Sequence, residues 1–227
     1  MPTLAVIFSV LGITLLIIGG RYRSIQAEMR SIKRMLVREL RPGILAEISG
    51  TAQLEPPLIT PFSKKTCVYY EYEVERLEER HGKTEWEPIW QKKTDSRFYV
   101  YDGTGTVSIT PKDASIDIPV ISEGSLQAGD IYAQKDLREL VNLISGYEAR
   151  VREKAIPIGS STYVFGSVYS SDDKLYMMKG RRPLYISTKS EEMVEQEIGR
   201  KGALFSIAGL VGLFGGLTLI FLIYFVL

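Results

Sequence analysis

The stretch CVYYEYEVE, residues 67–75, decides how the centre of this chain folds. Its side chains alternate between two kinds, and a period of two is typical of a β-strand. One face would carry apolar and aromatic groups, and the other the thiol and the carboxylates: Val68, Tyr70, Tyr72 and Val74 against Cys67, Tyr69, Glu71, Glu73 and Glu75. An apolar face opposite an acidic one predicts a half-buried antiparallel strand.

The same period of two extends from about residue 44 to residue 110. The strand continues into the charged segment ERLEERHGKTEWEP, whose turn we place at residues 81–83, and the chain returns through Trp86, Ile89 and Trp90. A second hairpin, RFYVYDGTGTVSITP, has the glycine spacing of a tight turn at residues 102–105. This DGTG is not a phosphate loop, because it joins two strands and no Lys-Ser or Lys-Thr follows it.

The second half of the centre is also rich in strand patterns. A short helix is predicted over residues 135–145, with Leu137, Leu140, Val141 and Ile144 on one face and Gly146 as its stop. Strands follow in YEARVREKAIPI, STYVFGSVYS and RRPLYIST. Thr188 then caps a further helix, with Glu191 completing a capping box. Residues 44–188 are therefore predicted to form one β-rich, small barrel-like domain.

Both ends of the chain are uncharged over lengths that can cross a bilayer. No residue is charged in 2–20 or in 202–227, and about 20 apolar residues cross a hydrocarbon core of about 30 Å. A cleaved signal peptide is the alternative for the first segment, but no basic residue precedes its apolar run. We predict transmembrane helices at 3–20 and 203–226, joined to the domain by an amphipathic juxtamembrane helix at 21–40 and a connecting helix at 189–201. The predicted fold class is an α+β membrane protein with a β-rich soluble domain between two transmembrane helices.

Basic residues flank both apolar segments on the side of the central domain. Arg21 and Arg23 follow the first segment, and Arg200 and Lys201 precede the second. By the positive-inside rule, residues 21–201 would face the cytoplasm of a prokaryotic cell, with both termini outside the plasma membrane. The same four residues are candidates for contact with membrane lipid headgroups.

Two residue patterns suggest that copies of the chain associate. The spacing of Ile25, Met29, Ile32 and Leu36 is that of a short coiled-coil stripe, with packing on the domain as an equal alternative. In the second apolar segment Ala208, Gly212 and Gly216 recur every four residues and form a smooth helix face. The chain's own first segment, through Gly12, is the alternative partner for that face. We expect a homo-oligomer.

The sequence shows no catalytic or metal-binding constellation. One cysteine and one histidine cannot supply a tetrahedral metal site. Cys67 and His81 are predicted at opposite ends of one strand, too far apart for a nucleophile and its base. The glutamates of the quoted stretch are expected to be solvated and to pair with Lys92 and Lys93 across the hairpin. No cofactor is expected, and a formal charge of +1 predicts no nucleic-acid partner.

The order of these motifs resembles the GIDE domain family. The residues that carry the resemblance are PLITPFSKKTCVYYEYEVE, the tryptophan-bearing hairpin, FYVYDGTGTVSITP, EKAIPIGSSTYVFGSVY and YISTKSEE, set between two apolar segments. Its eukaryotic members are the mitochondrial ubiquitin/SUMO ligases called MULAN or MAPL, in which this region is the "beside a membrane" domain. In them a zinc-binding RING follows the second helix and recruits the conjugating enzyme. The present chain ends at Leu227, so we expect the ligase activity not to carry over and the protein not to be an enzyme.

Three functions are compatible with the sequence. The first is a membrane-anchored, non-enzymatic interaction or scaffold module that self-associates and binds an unknown protein partner. The second is an accessory component of a ubiquitin-like ligase system that works through a separate RING partner. The third is a small ligand-binding barrel for a nucleotide, lipid headgroup or oligonucleotide, disfavoured because its basic residues look scattered: Lys64, Lys65, Lys92, Lys93, Arg181 and Arg182.

Overall fold

The computed structural model describes residues 2–80, 82–126, 129, 131, 138, 140–172 and 174–225. The chain divides into two compact units. The helical unit combines Met1–Lys33 with Ser190–Leu227, and the β unit is Arg34–Lys189. The predicted fold class is confirmed, because a β-rich unit with a barrel lies in sequence between two apolar helices.

The helical unit consists of two long helices, α1 (Pro2–Ser31) and α3 (Glu191–Phe225), while the short α2 (Val141–Ile144) belongs to the β unit. Both α1 and α3 are long and apolar enough to cross a membrane. They pack side by side, and the rings of Tyr22 and Phe205 stack with their centroids 5.6 Å apart. The membrane boundaries within these helices stay a prediction.

The first residue of α3 differs from the expectation. Thr188 is not the cap, because the first turn closes through the Val194 N–H, which donates to the Ser190 carbonyl at 3.1 Å. Glu191 therefore lies in the first turn, where its carboxylate interacts favourably with the positive end of the helix dipole. From there α3 runs without a break to Phe225.

The predicted juxtamembrane helix at 21–40 is too long. Helix α1 ends at Ser31, and Val37–Glu39 form a short 3-10 helix. The reason is a tertiary contact, since the Met35 N–H donates to the Glu47 carbonyl at 2.9 Å and so cannot take part in a helix. Local helix propensity is weak beside such contacts. The stripe from Ile25 to Leu36 is consequently not one continuous helical face.

The β unit contains twelve strands among its described residues. They are β1 (Leu45–Gln53), β2 (Leu58–Ile59), β3 (Thr66–Arg80), β4 (Lys83–Lys93), β5 (Phe98–Tyr101), β6 (Thr106–Ile109), β7 (Ser115–Asp117), β8 (Val120–Ser125), β9 (Ala149–Pro157), β10 (Ser161–Ser171), β11 (Lys174–Met178) and β12 (Tyr185–Ser187). One sheet has the order β1-β5-β6-β11-β10-β12-β7, and the other has the order β2-β3-β9-β8 with β4 beside β3. Because β1 also pairs with β10, the strands β1, β5, β6, β11 and β10 close a five-stranded barrel.

The barrel is filled by its own side chains. Ile48, Phe98, Ile109, Val164 and Met177 are all fully buried in one apolar cluster. A second cluster lies on the other sheet and contains Tyr72, Val74, Leu126, Ile131, Leu140, Ile144, Ala149 and Val151. Burial of apolar surface in these two clusters is the main stabilising term of the β unit.

The alternation predicted for residues 67–75 holds only in part. Val68, Tyr72 and Val74 are buried as predicted, but Tyr69, expected on the acidic face, is only 1% exposed and belongs to the barrel cluster. The pairing of β3 with β9 is irregular between Cys67 and Tyr69. Such a bulge turns successive side chains inward and breaks the period of two.

The helix predicted over residues 135–145 is seen only at its end. Helix α2 covers Val141–Ile144, and Gly146 follows it with φ +81°, the left-handed conformation that ends helices. Residues 132–137 and 139, including Leu137, lie outside the described residues. Leu140 and Ile144 are buried, as the predicted face requires.

Candidate functional site

Cys67 is a buried wall residue of the β unit. Its side chain is 1% exposed, and burial, reinforced by the nearby Glu153 carboxylate, raises the pKa of the thiol to about 11. Only a thiolate is a strong nucleophile, so this environment does not suit covalent catalysis. His81 lies outside the described residues, so its predicted distance from Cys67 stays a prediction.

We predict that Cys67 in the native protein reacts with maleimide far more slowly than in the urea-unfolded protein. The burial and the raised pKa act in the same direction, because each lowers the concentration of accessible thiolate. The labelling rate is measured by mass spectrometry at neutral pH, with an introduced thiol at exposed Thr84 as the matched control. Equal rates at the two positions would contradict this assignment.

The loop before Cys67 is organised around a buried carboxylate. Glu153 on β9 is 1% exposed, and its two oxygens accept the backbone N–H groups of Phe62 and Ser63, each at 2.7 Å. Hydrogen bonds from backbone N–H groups to a carboxylate are charge-assisted and short. The loop is closed from the other side by Thr60, whose side-chain oxygen accepts the Lys65 N–H at 2.9 Å. The alternation of β9 places Glu153 on the buried side with Val151 and Ala155, but the loop that it holds lies about 90 residues away and leaves no mark on that pattern.

The glutamates of the quoted stretch find their partners on β9. Arg150 Nε lies 2.6 Å from Glu75, and Lys154 Nζ lies 3.1 Å from Glu71. Both pairs are directly opposite in the β3–β9 register, which is where cross-strand charge pairs form. The expected Lys93 does sit opposite Glu71 on β4. However, the prediction that these carboxylates are solvated is wrong for Glu75, which is 7% exposed.

Further contacts extend this ladder into a network of both charge signs. Glu123 on β8 accepts from Arg150 at 2.9 Å and from Arg152 at 3.1 Å. The Arg150 guanidinium also lies 4.3 Å from the centre of the Trp86 ring. Positive and negative groups thus neutralise one another across three strands. Partly exposed pairs contribute little stability individually, and the arrangement is typical of a sheet surface rather than of a catalytic centre.

The DGTG turn connects β5 and β6 and holds a distant segment of the chain. One oxygen of Asp102 accepts the Thr104 N–H at 2.8 Å and the Gly105 N–H at 3.1 Å. The other oxygen accepts the Val37 N–H at 2.7 Å. A Cβ at Gly105 would come within 3.0 Å of the Val37 side chain, so glycine allows this close approach. The turn is therefore a clamp on the 3-10 helix that precedes β1.

Asp102 makes the stability of this clamp depend on pH. Burial pushes the pKa of Asp102 upward, but hydrogen bonds from Val37, Thr104 and Gly105 outweigh it and hold the pKa below its usual value. A depressed carboxyl pKa contributes stability above the unfolded value, about pH 4, that is lost as the pH falls.

We predict that Asp102→Ala lowers the unfolding free energy by about 1 kcal/mol at neutral pH, because three backbone N–H donors and the Thr104 hydroxyl lose their acceptor and water partly replaces it. The loss should shrink below about pH 4, where the wild-type carboxylate is itself protonated. Urea titrations across pH measure both effects. The control is Asp113→Asn in an exposed turn, for which we expect no change. A loss independent of pH would contradict the role of the charge.

The predicted helix-packing residues differ in burial. A Cβ added at Gly216 would lie 2.8 Å from the Ala5 carbonyl oxygen, and a Cβ added at Gly212 would lie 3.2 Å from the Gly12 Cα. Both glycines therefore contact α1 of the same chain. This was the alternative to a contact between copies. Burial decreases along the stripe, because Gly216 is buried, Gly212 is half-buried and Ala208 is exposed.

The juxtamembrane candidates are also separated. Met29 is only 4% exposed within the chain, so it is not available to a second copy, whereas Leu36 is 37% exposed and lies outside α1. Ile25 and Ile32 are half-buried. The four basic candidates for lipid contact, Arg21, Arg23, Arg200 and Lys201, are all exposed. Their contact with headgroups stays a prediction.

Comparison with known proteins places the chain in a family. A family model described as GIDE, E3 ubiquitin ligase, matches residues 68–221, about two thirds of the sequence. The chain belongs to the GIDE family. The GIDE match begins in β3 and ends inside α3, so it includes the Asp102 clamp and Glu153. Comparison with curated proteins and with solved structures found no significant match.

The chemistry available to this GIDE chain is limited by its composition. In the part of the chain that the structure describes, no group of histidine, cysteine, aspartate or glutamate side chains is arranged to hold a metal ion. One cysteine and one histidine in 227 residues also cannot provide the zinc ligands of a RING. The described carboxylates discussed above instead hold loops, turns and neighbouring strands.

Proposed function

We propose that this GIDE-family chain is a membrane-anchored, non-enzymatic interaction module whose β unit binds a protein partner. The observation that carries the proposal is a closed barrel filled by fully buried side chains such as Phe98, Ile109 and Val164. Such an interior has no room for a substrate, so recognition takes place on the outer surface. The two apolar helices provide the means of anchoring.

A second candidate, an accessory role in a ubiquitin-like ligase system, is favoured by the family description as E3 ubiquitin ligase. A RING positions the conjugating enzyme, loaded with its ubiquitin-like protein, through zinc-bound loops. The one cysteine and one histidine of these 227 residues cannot form such loops. In this role the chain would act with a separate RING partner and would supply anchoring or substrate binding.

One experiment distinguishes the two functions. The full chain, purified in lipid nanodiscs, is incubated with conjugating enzyme, ubiquitin-like protein and ATP, with and without a RING protein recovered by crosslinking in native membranes. The interaction module is expected to leave transfer unchanged in both cases. A rate increase only with the RING protein would favour the accessory role. Transfer by the chain alone would contradict the non-enzymatic proposal.

Self-association is part of the proposal and is assigned to the outer face of the helical unit. There Ala208 is exposed and a Cβ at Gly215 would meet no atom within 4 Å. These two small residues line an apolar groove with Phe8, Leu11 and Leu15 of α1. Small residues let a further helix approach closely in lipid. Crosslinking of wild type against Ala208→Leu with Gly215→Leu tests this assignment, and a wild-type protein that is monomeric at all concentrations would contradict it.

We also propose that residues 21–201 face the cytoplasm of a prokaryotic cell, on the evidence of the basic flanks Arg21, Arg23, Arg200 and Lys201. A cysteine at Thr84 in a Cys67→Ser background is a suitable probe, because Thr84 is exposed, whereas Gly82 has φ +74° and would be strained by any side chain. An impermeant maleimide should label it only after the cells are permeabilised. Labelling in intact cells would reverse the orientation.

A further inference from the structure

A row of tyrosines crosses the outside of the barrel. Tyr99 on β5 pairs with Ser108 on β6, Ser108 with Tyr176 on β11, and Tyr176 with Tyr169 on β10. Directly paired residues point to the same side of a sheet. Their neighbours along the strands, Phe98, Val107, Met177 and Val168 among others, fill the barrel, so the row faces outward. We call Tyr99, Tyr176 and Tyr169 the tyrosine row.

The rings of the row are partly exposed and held in place. Tyr99 is 44% exposed, whereas Tyr169 and Tyr176 are half-buried and their rings stack with centroids 5.7 Å apart. Gly180 lies so close to Tyr169 that a Cβ there would overlap the tyrosine hydroxyl. Exposed but ordered aromatic rings lose little conformational entropy on binding, which is why they are common in recognition surfaces.

The edges of the tyrosine row are basic. The Arg97 guanidinium lies 5.9 Å from the centre of the Tyr176 ring. The segment 174–189, which includes Tyr176, contains five basic residues and no acidic one, although Lys189 at its end is paired with Asp117. Among them Lys174, Lys179 and Arg181 are exposed, and Asp172 lies in the turn just before them. The ligand that best matches the tyrosine row therefore carries a few negative charges at its margins.

The spacing of the row fits an extended proline-containing peptide. Strands lie about 4.8 Å apart, so Tyr99 and Tyr176, two strands apart, are separated by about 9.6 Å. A polyproline II segment repeats every three residues, or about 9.3 Å, and its backbone has no internal hydrogen bonds. Successive turns of the bound segment would thus place one proline ring against each of these two tyrosines. The tyrosine hydroxyls would donate hydrogen bonds to the unpaired backbone carbonyls of the segment. Aromatic grooves recognise such segments in this way.

We propose that the tyrosine row is the docking surface for an acidic, proline-containing extended segment of a partner protein. The inference rests on the proposed function, since it names the partner chemistry of the same β unit. Arg97 and the exposed Lys174, Lys179 and Arg181 select carboxylates, and the rings select the proline spacing. A single-stranded nucleic acid would need a continuous basic track, whereas the formal charge of the chain is only +1.

The first test measures peptide binding to the full chain in lipid nanodiscs by fluorescence anisotropy. The probe is a peptide of repeated Pro-Pro-Glu triplets, compared with Pro-Pro-Lys and Gly-Ser-Glu repeats and with an oligothymidylate of similar length. Binding of Pro-Pro-Glu in preference to all three is expected. Equal binding of Pro-Pro-Lys or Gly-Ser-Glu would overturn the proposal. Tighter binding of the oligothymidylate would overturn it in favour of nucleic acid.

Variants locate the binding. Tyr99→Ala with Tyr176→Ala should weaken Pro-Pro-Glu binding about tenfold or more, and Arg97→Gln should reduce its salt dependence. Tyr147→Ala is the matched control, because Tyr147 is an exposed tyrosine under an arginine, 4.3 Å from Arg76, on another part of the β unit. If the double variant does not fold, two milder variants are available. Tyr176→Phe removes only the Tyr176 hydroxyl, and Gly180→Ala displaces only the Tyr169 ring. Unchanged affinity in these variants would overturn the proposal.

A capture experiment separates this inference from the proposed function. Wild-type and doubly substituted chains are crosslinked in native membranes, with Pro-Pro-Glu peptide as competitor. A partner that is lost with the double variant and displaced by the peptide supports the tyrosine row. A partner captured equally by both chains overturns the row but leaves the interaction module standing. Failure of wild type to capture any partner would contradict the proposed function itself, while the peptide measurements still decide the row.

Discussion

Replacing Gly12 by leucine is expected to separate the two apolar helices. An added Cβ at Gly12 would lie 2.8 Å from the Gly209 carbonyl and 3.0 Å from the Gly212 carbonyl carbon, all of them backbone atoms that cannot rotate away. Close backbone approach is what holds helices together in a lipid environment, where the hydrophobic effect between them is absent. We expect a loss of at least about 2 kcal/mol in helix-pair stability, in the range of overpacked interiors or above it.

The measurement uses cysteines at Tyr22 and Phe205, whose rings stack in the wild type, in a Cys67→Ser background. The yield of a short bis-maleimide crosslink in mild detergent reports the helix pair. Gly20→Leu is the matched control, because it lies on the same helix and a Cβ there meets no atom within 4 Å. Gly12→Leu should reduce the yield several-fold and Gly20→Leu should not. Equal yields would show that α1 and α3 do not pack through Gly12.

The contact at Gly12 determines which substitutions can test the proposed homo-oligomer. Gly212 and Gly216 contact α1 of the same chain, so leucines at these positions would first disturb the monomer. A change of oligomeric state in that double variant could not be assigned to a contact between copies. Ala208 and Gly215, which lie away from that contact, are the informative pair.

Glu153→Ala is expected to be the most damaging single substitution of a charged residue in the β unit. It would leave the Phe62 and Ser63 N–H groups without the acceptor that holds the loop. Each buried donor that loses its partner costs about 1–3 kcal/mol, so the total loss should be about 3 kcal/mol or more. Urea denaturation of the full chain in detergent measures the loss directly.

A local readout accompanies the loss of stability. Released from Glu153, the loop of residues 60–65 should open next to Cys67, and maleimide should label the thiol faster under native conditions. Glu148→Ala is the control, since Glu148 is an exposed glutamate that directly precedes the same strand, β9. Glu153→Gln should recover less than half of the loss, because an amide offers an oxygen to only one of the two donors. Wild-type stability in Glu153→Ala would refute the structural role of this carboxylate.

The strands of the β unit were predictable because their signal is local. Alternation in the strand that holds Val68, Tyr72 and Val74, and the glycine turn after Asp102, follow from side-chain period and turn chemistry. The apolar helices were predictable for the same reason, since length and absence of charge suffice. The family resemblance stated from ordered motifs is likewise confirmed by the match over residues 68–221.

The misses arise from contacts between residues that are distant in sequence. The end of α1 depends on Met35 bonding to Glu47, and the inward turn of Tyr69 depends on a bulge against β9. The choice of Lys154 over Lys93 as the charge partner of Glu71 depends on which strand lies on which side of β3. The role of Glu153 is set by a loop about 90 residues away in the chain. None of these is encoded in a local period.

Barrel closure has a consequence for how the chain is made. Strand β1 is complete after Gln53, but its partner β10 begins only at Ser161, about 100 residues later. Until β10 has left the ribosome, the edge of β1 that pairs with it has no partner. Unpaired strand edges promote aggregation or chaperone binding. Closure is thus a late and slow step governed by long-range pairing. Translation that stops before β10 would yield a product marked for degradation by its open edge.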